Sequence, residues 1–257
     1  MQDTLIAIWG DLKGKYPELE FIEKTHTYYI AGKKLPSVST LLKSFYEDFD
    51  SETVSLKYSL KRNFDVQDVR DAWQGENDIA NDKGHDIHLF GELYVQWKYF
   101  GIGTKPKCTS KQHLAIIEFW NDLPAHLVPV ATELQMYSKA LGYCGTADII
   151  VYDLLNDCYW IMDYKTNKTL FNDNEKYPAK PLFHINPEFN LKQENYGKYA
   201  LQFSFYQILL EEVGLKVGGR VLIYLQEKED KLYQKFQTPD VTKDLRQWLA
   251  TGFKKAA

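Results

Sequence analysis

Cysteine is scarce in this chain of 257 residues, which has three: Cys108, Cys144 and Cys158. Their odd number, their wide spacing and the lack of a Cys-x-x-Cys pair exclude a disulfide framework and a thiolate zinc or iron–sulfur site. Cysteine usage of this kind is typical of a reducing compartment. We therefore expect a cytoplasmic protein.

Long apolar runs and linker-like tracts are missing as well. The apolar stretch at residues 5–9 is too short for the core of a signal peptide, and no segment approaches the roughly 20 apolar residues of a membrane span. The 15 glycines and 9 prolines are scattered, without a repeat or a low-complexity tract. With 44% hydrophobic residues, the chain predicts a single domain, 1–257, with a sizeable core and no membrane partner.

An excess of positive charge is also absent, since 31 Lys and Arg face 35 Asp and Glu and the formal net charge is -4. This balance weighs against a protein that coats long stretches of duplex, so any contact with phosphates must be local. The sequence also lacks a Gly-x-x-x-x-Gly-Lys-Ser/Thr loop, which excludes a fused ATP-driven motor of that type.

Hydrophobic periodicity predicts helices in the first part of the chain and strands in the middle. The early elements are a helix over 3–15, a hairpin over 20–35, a short helix after the hydroxyl residues of 36–40, and longer helices over 76–99 and 110–123. Alternation with short connections predicts an antiparallel meander over 127–137, 142–153 and 158–165. A helix over 195–213, strands over 220–226 and 231–236, and a helix over 240–253 complete the order.

These elements predict an α/β (α+β) fold with a mixed sheet. We divide it into an N-terminal hairpin and helical decoration over 1–75, a core over 76–226, and a final strand and helix over 227–257. The polar stretch 166–192 shows neither period 2 nor period 3.6. A loop of this length is usually functional or disordered, so we interpret it as a mobile flap or, alternatively, as a surface excursion without a role.

The segment Asp163-Tyr164-Lys165 ends an apolar strand. Because side chains alternate along a strand, Asp163 and Lys165 share one face and Tyr164 points to the other. A metal-binding carboxylate would then lie beside a fixed positive charge. The spacing alone is a weak signal, because acid-x-Lys also occurs at Asp11-Leu12-Lys13, where an exposed salt bridge is the simpler interpretation.

A second carboxylate, Asp148, follows Gly145-Thr146-Ala147 on the preceding strand, where pairing in the meander would place it beside Asp163. Two close carboxylates need a cation between them. Oxygen ligands suit Mg²⁺ or Mn²⁺, which also bind phosphate oxygens, so phosphodiester hydrolysis is the natural chemistry. The alternative is that Asp148 only caps a turn.

Two further pairs lie four residues apart on predicted helices, and each pair therefore shares a face. In the first, His88 could bind a metal while Glu92 orients it; a structural histidine is the alternative, and His85 could take the role instead. In the second, Gln202 and Tyr206 are candidates for contacts with DNA phosphates or with the active-site lysine. Ordinary core packing is the alternative for that pair.

Together these motifs resemble the PD-(D/E)xK nuclease superfamily, specifically the RecB-like exonucleases found in phages and in mitochondrial genome maintenance. The resemblance covers residues 20–226 in the family's order, and Ala147 stands where the superfamily's name has proline. The N-terminal segment from Lys24 to Thr40 is similar to a signature of phage members. The matching motif residues are Gly84, His88, Glu92, Glu133, Asp148, Asp163, Lys165, Gln202 and Tyr206.

The resemblance implies a restriction-endonuclease-like core of helix, three-strand meander, helix and strand, with a helical N-terminal extension. It also implies one or two Mg²⁺ or Mn²⁺ ions held by His88, Asp148, Asp163 and the backbone carbonyl of Tyr164. Lys165 would orient or activate a water and offset charge in the transition state. Glu133 would be a further catalytic carboxylate, and Glu92 would orient the histidine or anchor its helix.

Contacts with DNA are expected from Gln202, Tyr206, Ser37, Ser39 and Lys168. Further candidates are lysines that could follow a phosphate backbone and tyrosines that could stack bases: Lys24, Lys33, Lys34, Lys176, Lys180, Tyr28 and Tyr29.

The function implied is a metal-dependent DNA exonuclease that serves recombination, repair or replication in the cytoplasm of a bacterial or phage-infected cell. Its partners would be a DNA end or single strand and a single-strand annealing or binding protein. A structure- or sequence-specific endonuclease on the same fold is the first alternative. A non-catalytic DNA-binding protein with a decayed nuclease fold is the second, and the intact set of Asp148, Asp163 and Lys165 argues against it.

Overall fold

The computed structural model of the chain describes residues 2–25, 27–225 and 232–251. The helices are α1 (Gln2–Gly14), α2 (Val38–Leu42), α3 (Ser51–Arg62), α4 (Val66–Val95), α5 (Lys111–Asp122), α6 (Asn195–Glu212) and α7 (Thr242–Thr251). The strands are β1 (Leu19–Ile22), β2 (Thr27–Ile30), β3 (Lys33–Leu35), β4 (Leu127–Ser138), β5 (Tyr143–Asp153), β6 (Cys158–Lys165), β7 (Val217–Leu225) and β8 (Tyr233–Gln237).

The strands form a small sheet of order β1-β2-β3 and a larger sheet of order β4-β5-β6-β7-β8. Short connections join β4, β5 and β6, and these strands pair antiparallel as predicted. The connection from β6 to β7 contains α6, and these two strands pair parallel. The predicted mixed sheet of an α/β fold and the order of helix, meander, helix and strand are therefore confirmed.

Helices cover both faces of the larger sheet. Two neighbouring side chains of β6, which point to opposite faces, illustrate this arrangement. The ring of Tyr164 is buried against α4 and accepts a hydrogen bond from the indole of Trp120 on α5. The next side chain, Lys165, points to α6, where its Nζ lies 4.7 Å from the ring centroid of Tyr199. One cluster of buried apolar side chains extends from Leu5 on α1 to Leu249 on α7.

Gly91 allows α4 to approach the sheet closely. A Cβ atom at this position would lie 2.3 Å from Cε2 of Tyr164, whose buried ring has little room to move. We expect Gly91→Ala to lower the free energy of unfolding by about 1–3 kcal/mol through overpacking. The matched control is Gly75→Ala on the same helix, where a Cβ meets nothing within 4 Å and alanine should stabilise by about 1 kcal/mol. Urea unfolding measures both, and equal stability of the two variants would contradict the packing described here.

The first third of the chain holds a helix that the periodicity did not predict. The apolar residues of α3 lie at alternate positions, Val54, Leu56, Tyr58 and Leu60, which is the spacing of a strand. They are largely exposed, so no apolar stripe marks a buried face. The helix is instead bounded by the Asp50 side chain, which accepts from the Thr53 amide at 2.9 Å, and by a left-handed C-cap at residue 63.

The remaining differences are in element boundaries. Helix α4 begins at Val66, ten residues before the predicted start, and the predicted hairpin over 20–35 is observed as three strands, β1, β2 and β3. The last predicted strand is observed as β8, while residues 226 and 231, and the final residues of the predicted C-terminal helix, lie outside the described residues. No helix within the described ranges is long and apolar enough to cross a membrane.

The stretch 166–192 is irregular, as predicted, but it is packed against the rest of the protein. Its apolar side chains Leu170, Leu182, Ile185 and Leu191 are buried. The amide of Phe183 donates to the carbonyl of Phe45 at 2.8 Å. These contacts favour a packed segment over a freely moving flap.

Candidate metal centre

The larger sheet opens between β5 and β6, and two carboxylates lie at the opening. Pairing of these strands runs from Asp153↔Cys158 to Ile149↔Met162 and continues no further among the described residues. Asp148 and Asp163 are the next residues on the two strands, so they face each other where the strands separate. Beyond this point β5 remains paired with β4, and β6 remains paired with β7. The two acidic groups are therefore held by a rigid sheet.

The third member of the cluster comes from α4. His88 Nδ1 lies 2.7 Å from Asp148 Oδ2, and its Nε2 lies 3.9 Å from Asp163 Oδ1. One potential ligand atom from each of these three residues can be chosen so that all lie within 4.8 Å of one another. His85, the alternative weighed from spacing, is exposed and is not part of this group. The structure thus brings together the predicted metal-ligating residues His88, Asp148 and Asp163.

The carboxylate of Asp163 is buried beside one cation and a second carboxylate. Its side chain is 2% exposed. Oδ2 forms an ion pair with Lys165 Nζ, and the carboxylate is close enough to that of Asp148 for a hydrogen bond between the two. Burial, followed by the charge of Asp148, raises the pKa of Asp163. A carboxylate in this situation fits a site that takes up a cation.

The charge next to Asp148, in contrast, lowers the pKa of that carboxyl group. Burial alone would raise its pKa, but the charge and hydrogen bond of His88 lower it. For His88, burial lowers the pKa, whereas the charge and hydrogen bond of Asp148 and the charge of Asp163 raise it to about 9. Two carboxylates and one imidazole are a ligand set that could hold a divalent metal ion.

Two more predicted carboxylates border the cluster. Glu133 lies between the paired residues Thr132↔Ile149 and Leu134↔Ala147, so the register sets it opposite Asp148. Burial, then the charges of Asp148 and Glu92, raise its pKa. Its φ of 47° is left-handed, which is strained for a non-glycine residue and often marks a functional position.

Glu92 is held on α4 one turn after His88. Its carboxylate accepts a hydrogen bond from Gln96 Nε2 at 2.8 Å, and the same nitrogen lies 3.4 Å from Thr132 Oγ1 on β4. Glu92 therefore belongs to the contact between α4 and the sheet. This placement fits the expected role in anchoring the helix.

Lys165 is held by residues that sequence reasoning missed. Its Nζ contacts Asp163 on one side and the face of Tyr199 on the other. Burial would lower the pKa of Lys165, but the charges of Asp163 and Asp148 raise it. The Tyr199 hydroxyl donates to the Asn167 side chain, and the Tyr224 hydroxyl donates to the Asn167 carbonyl at 2.7 Å. The sequence signal was available, since Tyr199 lies three residues before Gln202 on the same helix.

The predicted pair on α6 is confirmed as a contact. Gln202 Nε2 donates to the Tyr206 hydroxyl at 2.9 Å. The ring of Tyr206 is buried against Gly145, where a Cβ would lie 2.7 Å from it. Tyr206 is close enough for the charge of Asp148 to add to the increase in its pKa that burial causes. Tyr206 is therefore a core residue next to the cluster, and Gln202, which is half-buried, is the member of the pair with solvent access.

The N-terminal residues lie beside β5. Ser37 forms a bridge with Cys144 on the edge that β6 leaves free, and Tyr28 shares a hydrogen bond of 2.7 Å with Thr146. The Ser37 hydroxyl also caps α2, while Ser39 is exposed on that helix. Ser37 is therefore anchored on the strand that carries Asp148, and Ser39 has no described contact with the cluster.

Lys168 points away from the metal-ligating residues. Its Nζ lies 3.3 Å from Glu76 Oε2, and both side chains are exposed. Glu76 precedes His88 by twelve residues on α4, which corresponds to about 18 Å along the helix axis. The structure therefore does not bring Lys168 into the cluster.

Neither the family models nor the curated proteins that were compared with this chain give a match.

Proposed function

We propose that the protein is a metal-dependent DNA exonuclease of the PD-(D/E)xK class, with a restriction-endonuclease-like core. The observation that carries this proposal is the convergence of His88, Asp148 and Asp163 at the opening of the sheet, with Lys165 beside Asp163. These residues come from three elements in the order in which they occur in that class. The fold also has the helix, meander, helix and strand that the class requires.

The residues present fit one or two divalent ions. His88, Asp148 and Asp163 would be the ligands, and the closeness of their ligand atoms, with buried Asp163 beside a second carboxylate, supports this assignment. The side chain of Tyr164 is turned into the core, so only its backbone carbonyl could join them. When bound, Mg²⁺ or Mn²⁺ lowers the pKa of a coordinated water and polarises a phosphoryl oxygen.

The other residues act on the phosphate and the water. Lys165 presents an ammonium that is fixed between Asp163 and Tyr199, where it would donate to a phosphoryl oxygen or orient the attacking water. A group held in place in advance spends no free energy on ordering during the reaction. Glu133, which the register sets opposite Asp148, would assist proton transfer from that water.

Digestion of DNA in the presence of Mg²⁺, Mn²⁺ or EDTA tests this function. We expect an end-labelled linear strand to be degraded with either ion and to stay intact in EDTA. A covalently closed circle should remain uncut, because an exonuclease requires an end. Nicking or linearisation of the circle would replace the exonuclease with an endonuclease, and intact DNA under all conditions would reject a nuclease.

His88→Ala should weaken metal binding more than it affects folding. The side chain is 28% exposed and contacts Asp148, so its loss should change stability little but remove one ligand. We expect metal affinity to fall by at least the roughly 10–100-fold that loss of a residue orienting a ligand costs, and a higher Mn²⁺ concentration should recover part of the cleavage rate. Calorimetric titration with Mn²⁺ and thermal unfolding measure the two effects. Early melting without recovery would identify a structural histidine.

Tyr199→Leu should slow cleavage because the ring no longer covers the Lys165 ammonium. Tyr199→Phe keeps that ring and loses only the hydroxyl contact with Asn167. A desolvated cation–π contact is worth about 2 kcal/mol, so we expect a decrease in kcat of about 30-fold for leucine and much less for phenylalanine. Equal rates for the two variants would contradict the positioning role of the ring.

A further inference from the structure

Lys198 carries a half-buried ammonium group close to the metal centre, and the proposed chemistry does not use it. It lies on α6 next to Tyr199, whose ring centroid lies 4.7 Å from Lys165 Nζ. It also precedes Gln202 by four residues, so these two side chains share a face of the helix. Like Lys198, both Tyr199 and Gln202 are half-buried. Lys198 therefore belongs to the polar surface that α6 presents beside Lys165.

An aromatic ring fixes the position of this ammonium. Lys198 Nζ lies 4.1 Å from the ring centroid of Tyr46, which follows α2 and a short 3₁₀ turn. The backbone of Tyr46 is anchored on both sides, because Phe45 is completely buried and the Glu47 amide donates to Gln193 Oε1 at 3.0 Å. The ring face attracts the positive charge but accepts none of the ammonium's hydrogen bonds to oxygen. The group is thus held in place with donors to spare.

No anion is paired with this ammonium in the part of the chain that the structure describes. No oxygen there forms a hydrogen bond or an ion pair with Lys198 Nζ, whereas half-buried Lys98 donates to two oxygens. Burial lowers the pKa of Lys198, and the charge of Asp48 raises it without an ion pair. The neighbouring Glu47 is already paired with Lys180, at 2.7 Å. A fixed, partly desolvated cation without an anion fits a contact with an anionic ligand.

The position of Lys198 relative to the cluster indicates which anion that is. Four residues of helix separate it from Gln202, which corresponds to about 6 Å along the axis of α6. At about 3.4 Å per nucleotide in a duplex strand, one or two nucleotides span this distance. Helix α2, which leads to Tyr46, contacts both α6 and β5, the strand that carries Asp148. The ammonium therefore lies between two segments that border the metal centre.

We propose that Lys198 binds a phosphate of the DNA strand one or two nucleotides from the scissile phosphate, and that Tyr46 positions its ammonium for this contact. The ammonium would donate to a nonbridging phosphate oxygen while the Tyr46 ring covers its other side. Lys198 is then a substrate-binding residue that orients the strand along α6 and takes no part in metal binding. The inference rests on the proposed function for the identity of the strand, whereas binding of a strand can be measured without cleavage.

Binding of a fluorescein-labelled oligothymidylate in EDTA tests this contact. The full chain is titrated by fluorescence anisotropy at several salt concentrations, and Lys198→Gln is compared with the unaltered protein. Because one charge-assisted hydrogen bond is lost, affinity should fall about tenfold. Because one counterion fewer is released, the slope of log K against log salt concentration should become shallower by about 0.7. A merely structural lysine would not change that slope.

Two further variants separate the contact from net charge and from folding. Lys216→Gln removes the same charge at an exposed position, where Nζ lies 3.4 Å from the carbonyl of Asn156 in the turn between β5 and β6. This turn is at the end of the strands away from the metal centre, so affinity and slope should not change. Lys198→Arg keeps a cation that binds phosphate and should retain most of the affinity and the full slope. Thermal unfolding of each variant verifies that it is folded.

The contribution of Tyr46 is tested with a matched pair of substitutions. Tyr46→Phe keeps the ring under the ammonium and should bind the oligonucleotide like the unaltered protein. Tyr46→Leu removes the ring, so the ammonium is less well placed and affinity should fall about threefold. Equal affinities of the two variants would overturn the positioning role of Tyr46.

The outcomes keep this contact and the nuclease function apart. The expected loss in Lys198→Gln, without a loss in Lys216→Gln, would support the contact whether or not the protein cleaves DNA. Unchanged affinity and slope in Lys198→Gln, an equal loss in Lys216→Gln, or no binding of the oligonucleotide by the unaltered protein would overturn it. Cleavage of DNA together with unchanged binding in Lys198→Gln would retain the nuclease and reject this phosphate contact.

Discussion

Asp163→Asn should abolish cleavage and leave the fold intact. The substitution removes a ligand from the ion that supplies several kcal/mol of transition-state stabilisation, so we expect the rate to fall by about a thousandfold or more. Stability should change little, because two effects oppose each other. The amide avoids the cost of ionising a carboxylate whose pKa burial and Asp148 raise, but it loses the ion pair with Lys165.

The control for this variant is Asp11→Asn. Asp11 begins the same acid-x-Lys spacing, Asp11-Leu12-Lys13, but lies exposed on α1. It should retain full activity. Cleavage assays in Mg²⁺ and thermal unfolding in EDTA measure the two effects. Metal-dependent cleavage that persists in Asp163→Asn would remove Asp163 from the site, and a large decrease in the unfolding temperature would show that its ion pair with Lys165 supports the fold.

Lys165→Ala should also stop cleavage while metal binding survives. Lys165 contacts Asp163 and Tyr199 and is not a ligand. Removing one preorganised donor to a developing charge costs about 100- to 1000-fold in kcat. Titration with Mn²⁺ should give an affinity close to that of the unaltered protein. The matched control is Lys13→Ala, in the exposed acid-x-Lys segment Asp11-Leu12-Lys13.

Lys165→Arg adds a stricter test of the same residue. The space between Asp163 and Tyr199 fits a compact ammonium, whereas a planar guanidinium spreads its charge over a larger fork. We expect arginine to leave cleavage far below that of the unaltered protein. Full activity with arginine would show that only the charge matters, and loss of Mn²⁺ binding in the alanine variant would mean that Lys165 supports the ligands.

The clustering of His88, Asp148 and Asp163 could be predicted because strand alternation and helix spacing are local properties. Asp163 and Lys165 share a face because they are two apart on a strand, and the short turn between β5 and β6 limits how far Asp148 can lie from Asp163. His88 could not be separated from His85 by physical reasoning alone. Their different exposure depends on how α4 packs, and Gly91 sets that packing through its contact with Tyr164.

Other features depend on tertiary contacts that leave no local pattern. The alternate apolar positions of α3 suggest a strand, whereas the segment is a helix that packs against α4. Lys168 was expected near DNA because it follows Lys165 closely, but the chain turns away and pairs it with Glu76. The left-handed φ of Glu133 is equally invisible in the sequence, since this conformation is common only for glycine.

For the stretch 166–192, composition predicted the irregular backbone but not the packing. Its many Asn and Pro residues correctly excluded a regular helix or strand. They could not show that Leu170, Leu182 and other apolar side chains are buried, because four such residues without a period do not define a face. No pattern in the sequence indicated that this stretch packs against the rest of the protein.

The most direct test of the proposed metal-dependent nuclease is a chase experiment on one sample. Protein treated with EDTA is mixed with an end-labelled DNA strand, and excess Mn²⁺ is then added while products are followed over time. We predict no product before the addition, prompt release of labelled mononucleotides after it, and no release at any time with Asp163→Asn. Cleavage in EDTA, or no cleavage after Mn²⁺ is added to the unaltered protein, would contradict the assignment of His88, Asp148 and Asp163 as its metal centre.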